Sequence, residues 1–185
     1  MLTIIFLVRT AINIYSVLLL IRIWLQLANC DPYNSFTQSI IKATQPIVKL
    51  RIVPFIGPID GTSLSLVFIL STIKLPLVEL ILGRTEFLPS AVFYLIVGLL
   101  TSIKLIGKVI FWVVTLRSLL SWVNQSYNPL VFALYQMSEV FMNPIRKILP
   151  TRIGIIDFSS MILIIIIYLF NYIGLDLFPE IWQYM

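Results

Sequence analysis

A chain of 185 residues that is 59% hydrophobic and 11% charged, with a mean hydropathy of +1.01, has too little polar surface for a water-soluble domain. It contains no histidine and one cysteine, Cys30, which excludes an intrachain disulfide, a Cys/His metal site and acid–base catalysis by histidine. The net charge of +5 comes from basic residues dispersed among apolar blocks, which favours contact with anionic lipid headgroups over binding of nucleic acid.

Four apolar blocks are long enough to cross a hydrocarbon core of about 30 Å, which takes about 20 helical residues. The predicted membrane spans are residues 3–28, 64–82, 99–123 and 158–178. No basic region precedes the first span and no small-residue cleavage site follows it, so we expect it to stay in the mature protein. The third apolar block reaches back to Ala91, which predicts a tilt, or a kink at Gly98 or Gly107.

The segment between the first two spans predicts a helix that lies in the membrane interface. Asp31 can cap a helix and Pro32 suits its first turn, so the helix is expected at residues 33–46. Apolar residues such as Phe36 and Ile40 fall on one face, and polar residues fall on the opposite face. This amphipathic pattern is typical of a helix on the bilayer surface.

The segment between the last two spans follows the same plan. Asn128 is the expected cap and Pro129 the first residue of a helix at 129–143, in which Gln136 and Glu139 belong to a polar stripe. The second half of the chain therefore also carries a predicted interfacial helix.

Both interfacial helices are expected to end or kink at a proline, Pro46 in the first half and Pro144 in the second. Asp60 and Asp157 then precede the next span, where each carboxylate is expected to cap the free amides of the helix. Paired carboxylates for proton or cation handling are the alternative. A basic stretch lies between each proline and its aspartate: Lys49 and Arg51, then Arg146, Lys147 and Arg152.

These correspondences predict an internal repeat, in which Trp24 aligns with Trp122 and Pro46 with Pro144. The first repeat covers 1–82, a connector 83–98, and the second repeat 99–185. The expected fold is an all-α membrane protein with four transmembrane helices arranged as two parallel two-helix repeats, each with an interfacial amphipathic helix in its connecting loop. The positions of the repeat motif are Arg22, Trp24, Pro46, Pro54, Gly57 and Asp60, then Arg117, Trp122, Pro144, Pro150, Gly154 and Asp157.

At these positions the sequence resembles the YggT family of bacterial inner-membrane proteins, which has relatives in chloroplast thylakoids, and the resemblance covers essentially the whole chain. It implies an association with osmotic stress and potassium homeostasis in bacteria. In plastids it implies roles in cytochrome complex assembly and nucleoid organisation. Arg22 precedes Trp24 in the first copy, whereas Arg117 stands one helical turn earlier in register, so both arginines are able to serve the same helix face.

Basic residues concentrate in the two repeat loops, so the positive-inside rule predicts that both loops are cytoplasmic and both termini face outward. The expected location is the bacterial cytoplasmic (inner) membrane, with several passes. Trp24 and Trp122 stand at the cytoplasmic ends of their spans and are expected to anchor the chain at the interface.

Several charged residues fall within the predicted spans, where charge is costly and is expected to face the bundle. An ion or polar-solute path is one interpretation; snorkelling or structural pairing, for example of Lys74 with Glu79, is the other. Lys104 and Lys108 share a helix face, which indicates either a wet surface or a common headgroup layer. The residues of this candidate path are Lys74, Glu79, Lys104 and Lys108.

The sequence contains no recognisable catalytic, cofactor or metal motif, so a non-enzymatic scaffold or an assembly or homeostasis factor is the main functional hypothesis. Its expected partners are membrane lipids, a second copy of the chain, or other membrane or cell-division proteins. The alternative is a small oligomeric channel or transporter subunit acting in potassium or osmotic balance. The candidate contacts for lipid or a partner are Arg51, Arg146, Lys147 and Arg152.

Overall fold

A computed structural model describes residues 2–49, 53–55, 57–83, 90–123, 128–148, 152–153, 156–179 and 182, of which 121–123, 152–153 and 156–157 are described by their backbone alone. The helices are α1 (Leu2–Leu27), α2 (Ser35–Val48), α3 (Gly61–Ile81), α4 (Ala91–Val123), α5 (Pro129–Ile148) and α6 (Ser159–Leu177). Two short strands, β1 (Arg152–Ile153) and β2 (Ile156–Asp157), pair antiparallel ahead of α6.

Four of these helices, α1, α3, α4 and α6, are long and apolar enough to cross a membrane. The prediction of four helices with the length and composition of membrane spans is therefore confirmed within the described residues, and these residues are all-helical apart from the β1–β2 hairpin. Large apolar side chains are exposed along all four helices, as lipid-facing surfaces require.

The fourth helix starts earlier than the sequence pattern predicted. It begins at Ala91 and continues through Gly98 and Gly107 to Val123, so part of the predicted connector 83–98 is helical. Within this helix, α3 approaches α4 at Gly98, where an added Cβ would come within 2.1 Å of Thr72 Oγ1. A residue without a side chain thus permits close helix contact here.

The predicted cap of the first loop helix is wrong by several residues. Asp31 Oδ1 accepts a hydrogen bond from the backbone N–H of Tyr33 (2.9 Å) in a turn that precedes the helix. The helix begins afterwards, at Ser35, with Asn34 as its N-cap: Asn34 Oδ1 accepts from the backbone N–H of Phe36 at 2.9 Å. Either side chain suits a cap, and the local turn decides which one serves.

Neither proline ends its loop helix. α2 continues past Pro46 to Val48, and the backbone N–H of Lys49 still donates to Gln45 O at 2.9 Å. α5 continues past Pro144 to Ile148. Each proline removes one amide donor near the end of a helix, where the loss of one bond does not stop the last turn.

Each of the two second spans follows an aspartate. Asp60 is the N-cap of α3, as predicted: it accepts from the backbone N–H of Thr62 (3.1 Å) and from Ser63 Oγ (3.0 Å). At the start of α6 the N-cap position falls on Phe158, one residue after the predicted Asp157, whose backbone pairs with that of Arg152 in the hairpin. The side chain of Asp157 lies outside the described residues, so the capping predicted for its carboxylate stays a prediction.

The main apolar core lies where α1, α3 and α4 meet the loop helices α2 and α5. Trp24 is buried in it: the indole Nε1–H donates to Met137 O at 3.0 Å, and the ring meets Phe141 edge-on at 5.1 Å. Asn34 Nδ2 donates to Pro129 O at 2.8 Å. The loop helices therefore lie at the same end of the bundle, in contact with each other, and we call them the loop-helix pair.

The sequence suggested that Trp24 anchors the chain at the headgroup layer, but in the structure this side chain is part of the core. Its polar N–H is satisfied by α5 and its ring is almost fully covered. The side chain of its counterpart Trp122 lies outside the described residues.

Candidate functional site

An arginine of α1 joins three helices of the first half. Arg22 Nη1 donates to Thr44 Oγ1 (2.8 Å) and Ile41 O (3.4 Å) on α2, and Arg22 Nε lies 3.8 Å from Asp60 Oδ2 at the start of α3. Gln26 Oε1 accepts from the backbone N–H of Asp60 at 3.0 Å. These bonds hold α2 against the two spans that it connects.

An arginine of α4 performs the corresponding task in the second half. Arg117 donates to Ser138 Oγ (2.9 Å), to Glu139 Oε1 (2.9 Å) and to the sulfur of Met142, all on α5. Its guanidinium also lies 4.6 Å from the ring centre of Tyr135, in a cation–π contact. Although Arg22 and Arg117 differ by one turn in register, each reaches the loop helix of its own half.

Glu139 lies between two guanidinium groups. Arg146 Nη1 donates to both carboxylate oxygens (3.0 and 2.8 Å), and Arg146 Nε donates to Ser159 Oγ at 3.3 Å, at the start of α6. The side chains of Arg117, Glu139 and Arg146 are only 15–16% exposed. This Arg117–Glu139–Arg146 cluster ties α4, α5 and α6 together and keeps a net charge of one positive unit.

Sequence reasoning had placed Glu139 on a polar stripe and Arg146 among the candidate contacts for lipid or a partner, and it missed this cluster. The signal available in the sequence was spacing: Glu139 and Arg146 are one heptad apart, which places an acidic and a basic side chain on the same face of α5. The Arg117 partner depends on how α4 packs on α5, which a single sequence does not show.

The other candidate contact residues have different surroundings. Lys147 is exposed at the end of α5 and is not part of the Arg117–Glu139–Arg146 cluster. Arg152 is described only by its backbone in β1, and Arg51 lies outside the described residues. Of the repeat motif, Pro150 and Gly154 also lie outside them.

The turn before α3 requires glycine at two positions, Gly57 and Gly61. Gly57 has φ +63°, a conformation that glycine adopts without strain. At Gly61 an added Cβ would lie 2.1 Å from Pro54 O, so the turn and the first residue of α3 approach too closely for any side chain.

Three of the four residues of the predicted intramembrane path are brought together. Lys74 on α3 is 8% exposed, and the positive charges of Lys104 and Lys108 on α4 and of Arg9 on α1 all lie within electrostatic range of it. We call these four side chains the basic cluster.

Glu79, the fourth predicted path residue, has a different partner: its carboxylate accepts a hydrogen bond from the Tyr94 hydroxyl on α4. Lys104 Nζ donates to Trp182 O beyond α6 and lies 5.2 Å from the Trp182 ring centre. The Trp182 indole in turn donates to Asn171 Oδ1 at 3.0 Å. Residue 182 thus packs on one side of the basic cluster.

The Cys30 thiol is buried just after α1, and this burial raises its pKa to about 11. A thiol with this pKa is almost fully protonated at neutral pH, and the thiolate is the reactive form. We expect a maleimide to label Cys30 at pH 7.5 roughly tenfold or more slowly in the folded protein than after denaturation in SDS.

The control for this labelling is Ser39→Cys in a Cys30→Ser background, since Ser39 is exposed on α2. It should react rapidly with and without SDS. Equal rates for native Cys30 and this control would contradict a buried, protonated thiol.

The described residues define a class: a helical protein with four apolar helices of membrane-spanning length, which suit a multi-pass membrane protein, and two shorter helices between them. The CCB3/YggT family matches residues 1–81 and 96–178, and the chain belongs to this family. The two matched segments correspond to α1–α3 and to most of α4–α6.

The chain is similar to several curated proteins over most of its length. It is 43% identical over 172 residues to the Uncharacterized protein YggT of Escherichia coli (strain K12), covering 91% of this chain and 87% of that protein. It is 38% identical to the Uncharacterized protein in proC 3'region of Vibrio alginolyticus, with 96% of each covered, and 37% identical to an Uncharacterized protein of Haemophilus influenzae, with 95% and 93% covered. No solved structure matches the chain.

Proposed function

We propose that this protein is a non-enzymatic scaffold or assembly factor of the bacterial cytoplasmic membrane, in which the loop-helix pair docks a partner protein. The observation that supports the proposal is that hydrogen bonds hold both loop helices in place. α2 is bound to its spans through Arg22, α5 through Arg117, and the two helices contact each other. A surface held in this way is preorganised, which lowers the entropic cost of binding.

The exposed residues of the loop-helix pair include basic and polar ones beside apolar ones such as Tyr135 and Ile148. The basic and polar residues are Gln38 and Lys42 on α2, Lys49 directly after it, and Asn143 and Lys147 on α5. A partner with an acidic surface is the best match, because complementary charge speeds and orients association. We propose that this role serves the response to osmotic stress, with which the family resemblance is associated.

The repeat and its orientation are part of the proposal. Two parallel repeats, each contributing one amphipathic loop helix, account for a loop-helix pair at one end of the bundle, and the positive-inside rule assigns that end to the cytoplasm. With Cys30→Ser and Ser39→Cys, a membrane-impermeant maleimide should label spheroplasts only after permeabilisation. Labelling of intact spheroplasts would contradict this orientation.

The docking proposal is tested by photo-crosslinking in native membranes. A photoreactive amino acid at Gln38 or Asn143 should give a discrete protein adduct, whereas the same group at Leu169, which is 60% exposed on α6, should give mainly lipid adducts. Lys147→Glu should reduce the adduct severalfold at unchanged protein level, because it reverses charge on the docking surface. Equal protein adducts at Leu169, or an adduct insensitive to Lys147→Glu, would contradict docking on this surface.

The second candidate is a small oligomeric channel or transporter subunit for ions, and the buried Lys74 favours it. Potassium flux into liposomes carrying the purified protein, compared with Lys74→Leu, tests this candidate. Absent flux, or flux that Lys74→Leu leaves unchanged, would rule out a potassium path through the basic cluster.

A further inference from the structure

The last span, α6, is the least covered of the four membrane-length helices. Only 11% of its apolar segment is buried within the structure, against 22–33% for α1, α3 and α4. Its main contacts are with α4 and α5. Lipid tails cover apolar side chains readily, but they offer no partner to a hydrogen-bonding group. The polar side chains on the uncovered side of α6 therefore indicate what this surface faces.

Four exposed side chains form a line along α6. Met161, Ile165, Tyr168 and Tyr172 follow one another at intervals of four, three and four residues, and each is 50–61% exposed. These are the intervals of the a and d positions of a heptad, along which two helices pack with a left-handed crossing. We call these four residues the α6 seam. Its spacing indicates that the surface suits a second helix.

The two tyrosines of the α6 seam place hydroxyl groups at the depth of the lipid tails. α6 has 19 residues, a length of about 28 Å that matches the hydrocarbon core, and Tyr168 is its middle residue. Helical side chains lean towards the N-terminus, so the Tyr172 hydroxyl is also carried towards the middle of the span. Neither hydroxyl has a hydrogen-bond partner among the described residues. An unbonded hydroxyl in hydrocarbon is costly, so both groups require a partner from outside this chain.

We infer that the α6 seam is the interface with a second copy of this chain, related by a two-fold axis along the membrane normal. Copies that insert in the same orientation present α6 in parallel, so each seam residue lies at the depth of its own counterpart. A phenol hydroxyl both donates and accepts, so each tyrosine bonds its counterpart without any other polar group. The ring of Tyr168 is already held edge-on against Phe111 of α4 at 5.6 Å. An unrelated protein would need polar residues at two matching depths, whereas a second copy supplies them automatically.

The inference is separate from the docking role, because the α6 seam belongs to a span and the docking surface to the loop-helix pair. A two-fold axis along the membrane normal nevertheless brings two loop-helix pairs to the same side of the membrane. A docking partner that is itself dimeric then contacts both pairs and gains avidity without a new kind of contact. Leu169, which lies to one side of the α6 seam, stays open to lipid in this dimer.

Disulfide formation in native membranes tests the interface. Ile165→Cys in a Cys30→Ser background places the one thiol of the chain on the α6 seam. Ile166→Cys in the same background is the matched control, since Ile166 is also exposed at nearly the same depth but lies about 100° further round the helix. We expect mild oxidation to join most Ile165→Cys chains into dimers and to leave Ile166→Cys chains largely monomeric. No dimer from Ile165→Cys, or equal yields from the two variants, would overturn the inference.

Removing the hydroxyl groups tests what holds the two copies together. The double variant Tyr168→Phe and Tyr172→Phe keeps both rings, and the control Tyr33→Phe removes an exposed hydroxyl outside α6. Sedimentation equilibrium in density-matched neutral detergent should show a dimer for the wild type and the control. The double variant should have a dissociation constant about threefold higher or more. A wild type that sediments as one chain, alone or bound to a different protein, would contradict a second copy at this surface, as would a double variant that dissociates like the wild type.

Discussion

Replacing Glu139 by alanine is expected to destabilise the protein by about 3 kcal/mol, the lower end of the range for breaking a buried ion pair. The change leaves Arg117 and Arg146 facing each other without the carboxylate that both bind. It also removes one hydrogen bond between α4 and α5, from Arg117, and two within α5, from Arg146. The measurement is equilibrium unfolding in mixed detergent micelles, followed by helical circular dichroism.

Asn143→Ala is the matched control, since Asn143 is exposed on the same helix. Surface changes of this kind usually shift stability by less than about 0.5 kcal/mol. Glu139→Gln should fall between the two, because an amide oxygen still accepts a hydrogen bond but carries no charge. An effect of Glu139→Ala no larger than that of Asn143→Ala would show that the cluster contributes nothing to stability.

Gly98→Ala is expected to cost up to about 3 kcal/mol, the usual limit for inserting a methyl group into a packed contact. The added Cβ would come within 2.1 Å of Thr72 Oγ1 and 2.8 Å of Thr72 Cα, so α3 and α4 have to move apart. The same change at Gly107 meets only Ile167 Cγ2 at 3.9 Å. Gly107→Ala should therefore be neutral or stabilising by up to about 1 kcal/mol, because alanine favours a helix.

Both variants replace a glycine of α4 by alanine, so the change in helix propensity is the same. A loss of stability at Gly98 together with no loss at Gly107 therefore reports on packing. Thermal unfolding in detergent measures both. Thr72→Ala should partly rescue Gly98→Ala, since it removes the nearest of the colliding atoms. Equal melting temperatures for Gly98→Ala and Gly107→Ala would contradict close contact at Gly98.

The sequence was most informative where one physical requirement dominates. Length and hydropathy predicted the four membrane-length helices, because the bilayer admits few alternatives. Asp60 was predicted as a cap because a short acidic side chain ahead of an apolar run satisfies free amides. At Asp157 the same reasoning stays a prediction, because only the backbone of this residue is described.

The interior of the site was harder to predict because its contacts join distant parts of the chain. Nothing local distinguishes the polar stripe around Glu139 from a solvated face, and its partner Arg117 lies 22 residues away. Trp24 has the side chain and the position along its span that are expected of an interface anchor. Its indole N–H nevertheless donates to a carbonyl oxygen on α5 that is 113 residues away. The apolar block of the third span reached back to Ala91, where α4 begins, but the contact of Gly98 with Thr72 on α3 depends on how the two helices pack, which the sequence does not show.

The hydrogen bonds from Trp24 to Met137 and from Asn34 to Pro129 join the first half of the chain to the second. Inverting only one half across the bilayer would carry these donors to the face opposite their acceptors. Insertion with mixed topology is therefore penalised by the fold itself, and the direction taken by the first hairpin of helices dictates that of the second.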